Sequence, residues 1–167
     1  KHHEESILQF AFKRALQIAE TGLTLDKPFY LLDPAPAQFS AWVDGYLAAL
    51  GANPTETFLS YDIETPYKRG KSEDQLARED SEDYTILRCS FSFKPGDAVS
   101  IPWTAAYYTD LKRLFTSTGA KLGWNADIYD RPRVEFNIDE RIKGDHLDAM
   151  LAWHVLNSAL PKGLGFV

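Results

Sequence analysis

The hydrophobic run Phe58–Thr65, the alternating stretch Tyr84–Phe93 and the stretch Ala98–Trp103 read as three strands. In the second, Leu87, Cys89, Phe91 and Phe93 fall on one face and Ile86, Arg88, Ser90 and Ser92 on the other, and Lys94-Pro95-Gly96-Asp97 supplies the turn into the third. The three make an antiparallel meander. Helical spacing replaces this pattern over Ser6–Glu20, Pro36–Gly51, Thr104–Thr118, from Arg131 onward, and over Asp145–Leu156. Two short apolar segments complete the series: Lys27–Leu32, an edge strand, and Ala120–Trp124, a buried strand that delivers Asn125–Asp130 to its C-terminal end. In open α/β sheets that end is where sites are built. The pattern predicts an α/β chain with a mixed central sheet flanked by helices. Residues 1–53 form a helical extension ahead of a core at 54–167. The charge-dense stretch Pro66–Asp83 reads as a solvated loop.

One strand carries unusual chemistry. Within Phe58–Thr65, Asp62 and Glu64 project from the same face while Ile63 enters the other. Two carboxylates fixed side by side on a strand repel each other unless a cation lies between them, and hard oxygen donors favour Mg²⁺ or Mn²⁺. The alternative is a pair of acids capping a strand end in water.

Composition narrows the setting. With 167 residues, 44 % hydrophobic and 13 % aromatic, the chain suits one sizeable core. No apolar run is long enough to span a bilayer and no secretory leader is evident, so a soluble, intracellular protein without membrane attachment is expected. Cys89 is the only cysteine, which rules out an internal disulfide, and its place in a strand suits packing. A net charge of −6 argues against holding nucleic acid by bulk positive charge. It leaves open an enzyme that reaches a phosphodiester through metal ions.

The order of elements, three meander strands, a helix, a strand and then helices, resembles the ribonuclease H-like α/β fold. On that frame Asp62-Ile63-Glu64-Thr65 resembles the first motif of the Asp-Glu-Asp-Asp superfamily of 3′-5′ exonucleases. Asn125–Asp130 resembles the second, which runs Asn, a three-residue spacer, an aromatic and Asp, and is most like that of family B DNA polymerases; Tyr129 and Asp130 fill its last two places. The segments Tyr84–Trp103, Asp148–Trp153 and Leu160–Leu164 are similar to those around the motifs in proofreading domains of phage-type and family A polymerases. The resemblance covers Thr57–Val167.

This resemblance implies a two-metal mechanism with Mg²⁺ or Mn²⁺, in which the ions activate a water, stabilise the leaving 3′ oxygen and neutralise the phosphoryl charge. It implies that Asp62 bridges both ions, Glu64 binds the one that activates water, and Asp130 holds the other. Thr65, Asn125 and Tyr129 are the implied substrate contacts. The implied partners are a single-stranded DNA 3′ end and a polymerase domain linked downstream. The family's fourth carboxylate lies in a Tyr-x-x-x-Asp or His-x-x-x-x-Asp motif on a late helix, yet no Asp or Glu follows Asp148. The expectation is a domain cut before its third motif, with Asp145 and Asp148 capping a helix. Two other readings keep the fold: an RNA-processing 3′-5′ exoribonuclease, since nothing selects deoxyribose over ribose, and a non-catalytic scaffold or binding domain.

Overall fold

The computed structural model describes residues 2–22, 28–66, 83–158, 160, 161 and 163. Its elements in chain order are α1 (His2–Thr21), β1 (Phe29–Leu32), α2 (Pro36–Ala52), β2 (Leu59–Glu64), β3 (Arg88–Lys94), β4 (Asp97–Pro102), a 3₁₀ turn (Ala105–Tyr107), α3 (Tyr108–Phe115), β5 (Lys121–Gly123), α4 (Asp130–Ile138), β6 (His146–Asp148) and α5 (Ala149–Leu156). The strands form one mixed sheet in the order β1-β4-β3-β2-β5-β6. β2 is antiparallel to β3, and β3 to β4, giving the expected meander. β5 runs parallel to β2 on its other edge, and β6 parallel to β5. β2 is therefore central, flanked on one side by the meander and on the other by the two strands whose C-terminal ends lead into α4 and α5. Most of the charged stretch Pro66–Asp83 and part of Leu160–Val167 lie outside the described residues.

Alternation along the strands sorts the two faces of the sheet. Leu59, Tyr61, Ile63, Cys89, Phe91, Val99 and Ile101 are buried in one cluster with Phe39 and Val43 of α2, Leu111, Leu114 and Phe115 of α3, and Val134 and Ile138 of α4. Ring contacts tie the layers: Phe39 lies 6.0 Å from Phe91, and Phe115 lies 5.2 Å from Tyr61 in an edge-on arrangement. Full burial of each such side chain contributes about 1.5–3 kcal/mol before entropy is counted. Cys89 is part of this core, as its strand position suggests.

The segment read as an edge strand forms β1 at one end of the sheet. β1 pairs in parallel with β4, and α2 buries Phe39, Val43, Tyr46 and Leu50, so residues 29–52 are integrated with the sheet that follows them. β3 begins at Arg88 rather than Tyr84, because its partner strand β4 stops at Pro102, opposite Arg88. The expected helix over Asp145–Leu156 starts only at Ala149; residues 146–148 instead form β6, a strand too short for its period to register in the sequence. Asp148 is the N-cap of α5, accepting the N–H groups of Met150 and Leu151, as expected of a capping acid.

A buried lysine secures the sheet end opposite the strand termini that carry acids. Lys121 opens β5 with no solvent exposure, and its ammonium donates to the carbonyls of Ser117 (2.9 Å), Gly119 (2.6 Å) and Lys143 (3.0 Å). It thereby clasps the connection into β5 to the connection into β6. Gly144 makes the clasp possible: its φ of +84° is left-handed, and a Cβ there would lie 2.3 Å from the Gly119 carbonyl oxygen. No helix among the described residues is long and apolar enough to cross a membrane.

Candidate active site

β2 presents Asp62 and Glu64 together because its alternate residues Leu59, Tyr61 and Ile63 are committed to the core. Both acids keep contact with solvent. Partial burial against the sheet, and then the neighbouring Glu64 carboxylate, raise the Asp62 pKa above its ordinary value. Arg88 is the register partner of Glu64 across the ladder, but its guanidinium donates to Asp33 and to the Ser100 hydroxyl. The acid pair is therefore not neutralised by the arginine across the ladder.

Asp130 arrives from the other side of β2. β5 ends at Gly123, where a Cβ would come within 2.3 Å of the Ala126 Cβ, so only glycine lets the chain fold back this tightly. Asn125 then takes a left-handed φ of 60°, a conformation asparagine tolerates. Its carbonyl accepts the Tyr129 N–H at 3.2 Å, and the Ala126 carbonyl accepts that of Arg131 at 2.8 Å. The turn delivers Asp130 as the first residue of α4, only 3 % exposed. Its Oδ2 is buried with no hydrogen-bond partner among the described residues. Burial, followed by the charge of Asp62, pushes its pKa up to about 7; Arg133 opposes the shift, and Asp148 and Glu64 add to it.

A buried carboxyl oxygen without a donor, beside further acids, is stable only when protonated or when a cation is present. Asp62, Glu64 and Asp130 supply hard oxygen donors, which fits Mg²⁺ or Mn²⁺ by donor chemistry. Among the described residues, no three Asp, Glu, His or Cys side chains converge closely enough to hold a metal ion in the arrangement seen. The orphaned Asp130 oxygen is the point of fit.

Around these acids, the Thr65 and Tyr129 hydroxyls meet at 2.8 Å, tying the end of β2 to the residue before Asp130. Arg133 stacks its guanidinium 3.7 Å from the centre of the Tyr129 ring and donates to the Tyr129 carbonyl at 2.8 Å. The structure thus brings Thr65, Tyr129 and Asp130 together, and places Asn125 at the turn that precedes them.

Sequence reasoning did not find a second polar chain beneath the site. The Tyr61 hydroxyl lies 2.7 Å from His146 Nε2, and His146 Nδ1 lies 2.8 Å from Asp127 Oδ1. Burial lowers the His146 pKa, while Asp127 pulls it back up. Its only sequence signal was Asp127 within the motif-like segment, since His146 sits in the unrecognised strand β6.

A sheet in this order, with an acid pair on its central strand and a third acid opening the helix after the adjacent parallel strand, has the architecture of a ribonuclease H-like exonuclease domain. Solved structures with this fold include the EXD2 exonuclease domain, with 16 % identity, a TM-score of 0.52, and 77 % of this chain and 59 % of that chain covered. Trypanosoma brucei RNase D aligns at 11 % identity and a TM-score of 0.56, covering 79 % of this chain and 41 % of that one. For the Aedes aegypti Nibbler EXO domain the values are 15 %, 0.52, 80 % and 59 %. The chain therefore spans less than two thirds of each of these structures, and the likeness is one of fold. Crystals of the EXD2 domain have been soaked in Mg and in Mn. No protein family and no curated protein matches the sequence.

Proposed function

We propose that this chain is a metal-dependent 3′-5′ exonuclease domain that hydrolyses the terminal phosphodiester of a single-stranded 3′ end. The observation that carries this reading is the Asp130 carboxylate, buried and unsatisfied beside Asp62 and Glu64 on a sheet of exonuclease architecture. Asp62, Glu64 and Asp130 would hold Mg²⁺ or Mn²⁺. When bound, such ions supply Lewis acidity and an activated water for in-line displacement. The chain's own residues do the positioning. β2 fixes Asp62 and Glu64 in register, the Asn125 turn sets Asp130 at the head of α4, and the Thr65–Tyr129 pair forms a polar wall where the terminal nucleotide would lie. The net charge of −6 leaves the metal ions as the means of meeting the phosphate.

The motif resemblance favours DNA as substrate and a proofreading role, with a polymerase domain linked downstream as partner. The fold likeness to an RNase D supports RNA processing as the second reading. The experiment is release of labelled mononucleotides from matched 3′-labelled DNA and RNA strands in Mg²⁺ or Mn²⁺, with Asp62→Ala/Glu64→Ala as control. Metal-dependent release that this double variant abolishes, while its circular dichroism stays unchanged, supports the assignment. Equal release by the double variant overturns it, and the preferred strand separates the two substrate readings.

A further inference from the structure

Asp148 does more than cap a helix. It ends β6 directly beside Gly123 of β5, and it is 9 % exposed. Its Oδ1 accepts the N–H groups of Met150 (2.9 Å) and Leu151 (3.3 Å) in the first turn of α5. The same oxygen also accepts the Asn125 N–H at 3.0 Å, and Oδ2 accepts the Asp127 N–H at 3.4 Å. One carboxylate thus satisfies backbone donors from two separate segments, one of them the turn that presents Asp130. His146, two residues earlier on the same strand and so on the same face, brings Nδ1 to 2.8 Å from Asp127 Oδ1, outside hydrogen-bond geometry, and meets the Tyr61 hydroxyl at 2.7 Å. Tyr61 is the neighbour of Asp62. The strand β6 therefore grips the Asn125–Tyr129 turn at its backbone and lies against its Asp127 side chain, and through His146 and Tyr61 it meets the strand that carries Asp62.

We propose that Asp148 is a positioning residue of the active site: its two oxygens hold the Asn125–Tyr129 turn on β6 so that Asp130 is set opposite Asp62. This inference rests on the exonuclease reading above. Capping alone needs one acceptor, and asparagine caps as well as aspartate. Holding the turn uses both oxygens: an asparagine that keeps its carbonyl oxygen at the Oδ1 position still accepts from Met150, Leu151 and Asn125, but it turns its NH2 group toward the Asp127 N–H. Asp148→Asn therefore separates the two roles.

Two readouts on purified wild-type and Asp148→Asn protein make the test. In metal-free buffer, amide hydrogen exchange of the variant is expected to quicken at Asp127 and to stay slow at Met150, Leu151 and Asn125, which share Oδ1. In the nucleotide-release assay, the Mn²⁺ concentration giving half-maximal rate is expected to rise about 10-fold or more, the scale on which partners of metal ligands act. Asp148→Ala, which removes the cap as well, quickens exchange at all four amides. The proposal is overturned if Asp148→Asn leaves exchange at Asp127 unchanged, or if its Mn²⁺ requirement matches the wild type. A wild-type protein that releases no nucleotide in either metal contradicts the exonuclease reading itself, and exchange at Asp127 then still decides whether Asp148 holds the turn.

Discussion

The Thr65 and Tyr129 hydroxyls stand 2.8 Å apart, joining the last turn of chain after β2 to the residue that precedes Asp130. Thr65→Val and Tyr129→Phe are each expected to cost about 1 kcal/mol, the usual net worth of such a bond. Because both variants remove the same interaction, the double variant should lose much less than the sum of the two. Urea unfolding of the four proteins measures this coupling.

Asp130 gives the metal-free protein a specific pH dependence. Its folded pKa, about 7, lies above the ordinary 3.8, so the folded state binds more protons between those values. The stability tied to its protonated form is fully present below about pH 4 and is lost as pH rises through about 7. Asp130→Asn should flatten this part of the profile and raise the melting temperature at pH 7.5 by about 3 °C or more. Thermal melts of both proteins in chelator from pH 4 to pH 8 show whether the slope belongs to Asp130.

Lys121 is expected to matter for stability and not for chemistry. Lys121→Met relieves a buried charge whose pKa burial has already lowered to about 8, but it strands three carbonyl oxygens that the ammonium now satisfies. The stranded acceptors outweigh the relief, and a net loss of about 2–3 kcal/mol is expected by denaturant unfolding. Metal-dependent release under folding conditions should persist, since the lysine caps the sheet end opposite Asp62.

Gly123→Ala should damage the site more than the fold. Its new methyl group would press on the Ala126 Cβ at 2.3 Å, within the turn that leads to Asp130. Overpacking of this kind costs about 1–3 kcal/mol. A small displacement of catalytic groups costs up to about 100-fold in rate. Paired measurements of unfolding and nucleotide release should show the larger loss in release.

Much of this arrangement was legible in the sequence, and its gaps have physical reasons. The alternation around Asp62 and Glu64 marked β2 because one whole face of that strand enters the core. The Asn125–Asp130 segment stood out because an apolar strand feeds it. β6 was not legible: it has three residues, too few for a two-residue alternation to repeat, and its last residue looks like the helix cap that it also is. The Tyr61–His146–Asp127 chain went unseen with it, since those residues meet only through the parallel pairing of β5 with β6. The place of α2 in the core was half visible. Its apolar side chains were evident, but that they pack on Phe91 and Phe93 depends on a sheet face assembled from distant strands.

Calorimetric titration of Mn²⁺ into the purified protein at pH 7.5, alongside Asp62→Asn and Asp130→Asn, tests the metal site directly. Saturable binding by the wild type and about 10-fold or greater weakening in each variant are expected, because each variant removes a charged oxygen donor. Wild-type binding that both variants retain, or no binding at millimolar Mn²⁺, would contradict a divalent-metal site built on Asp62 and Asp130.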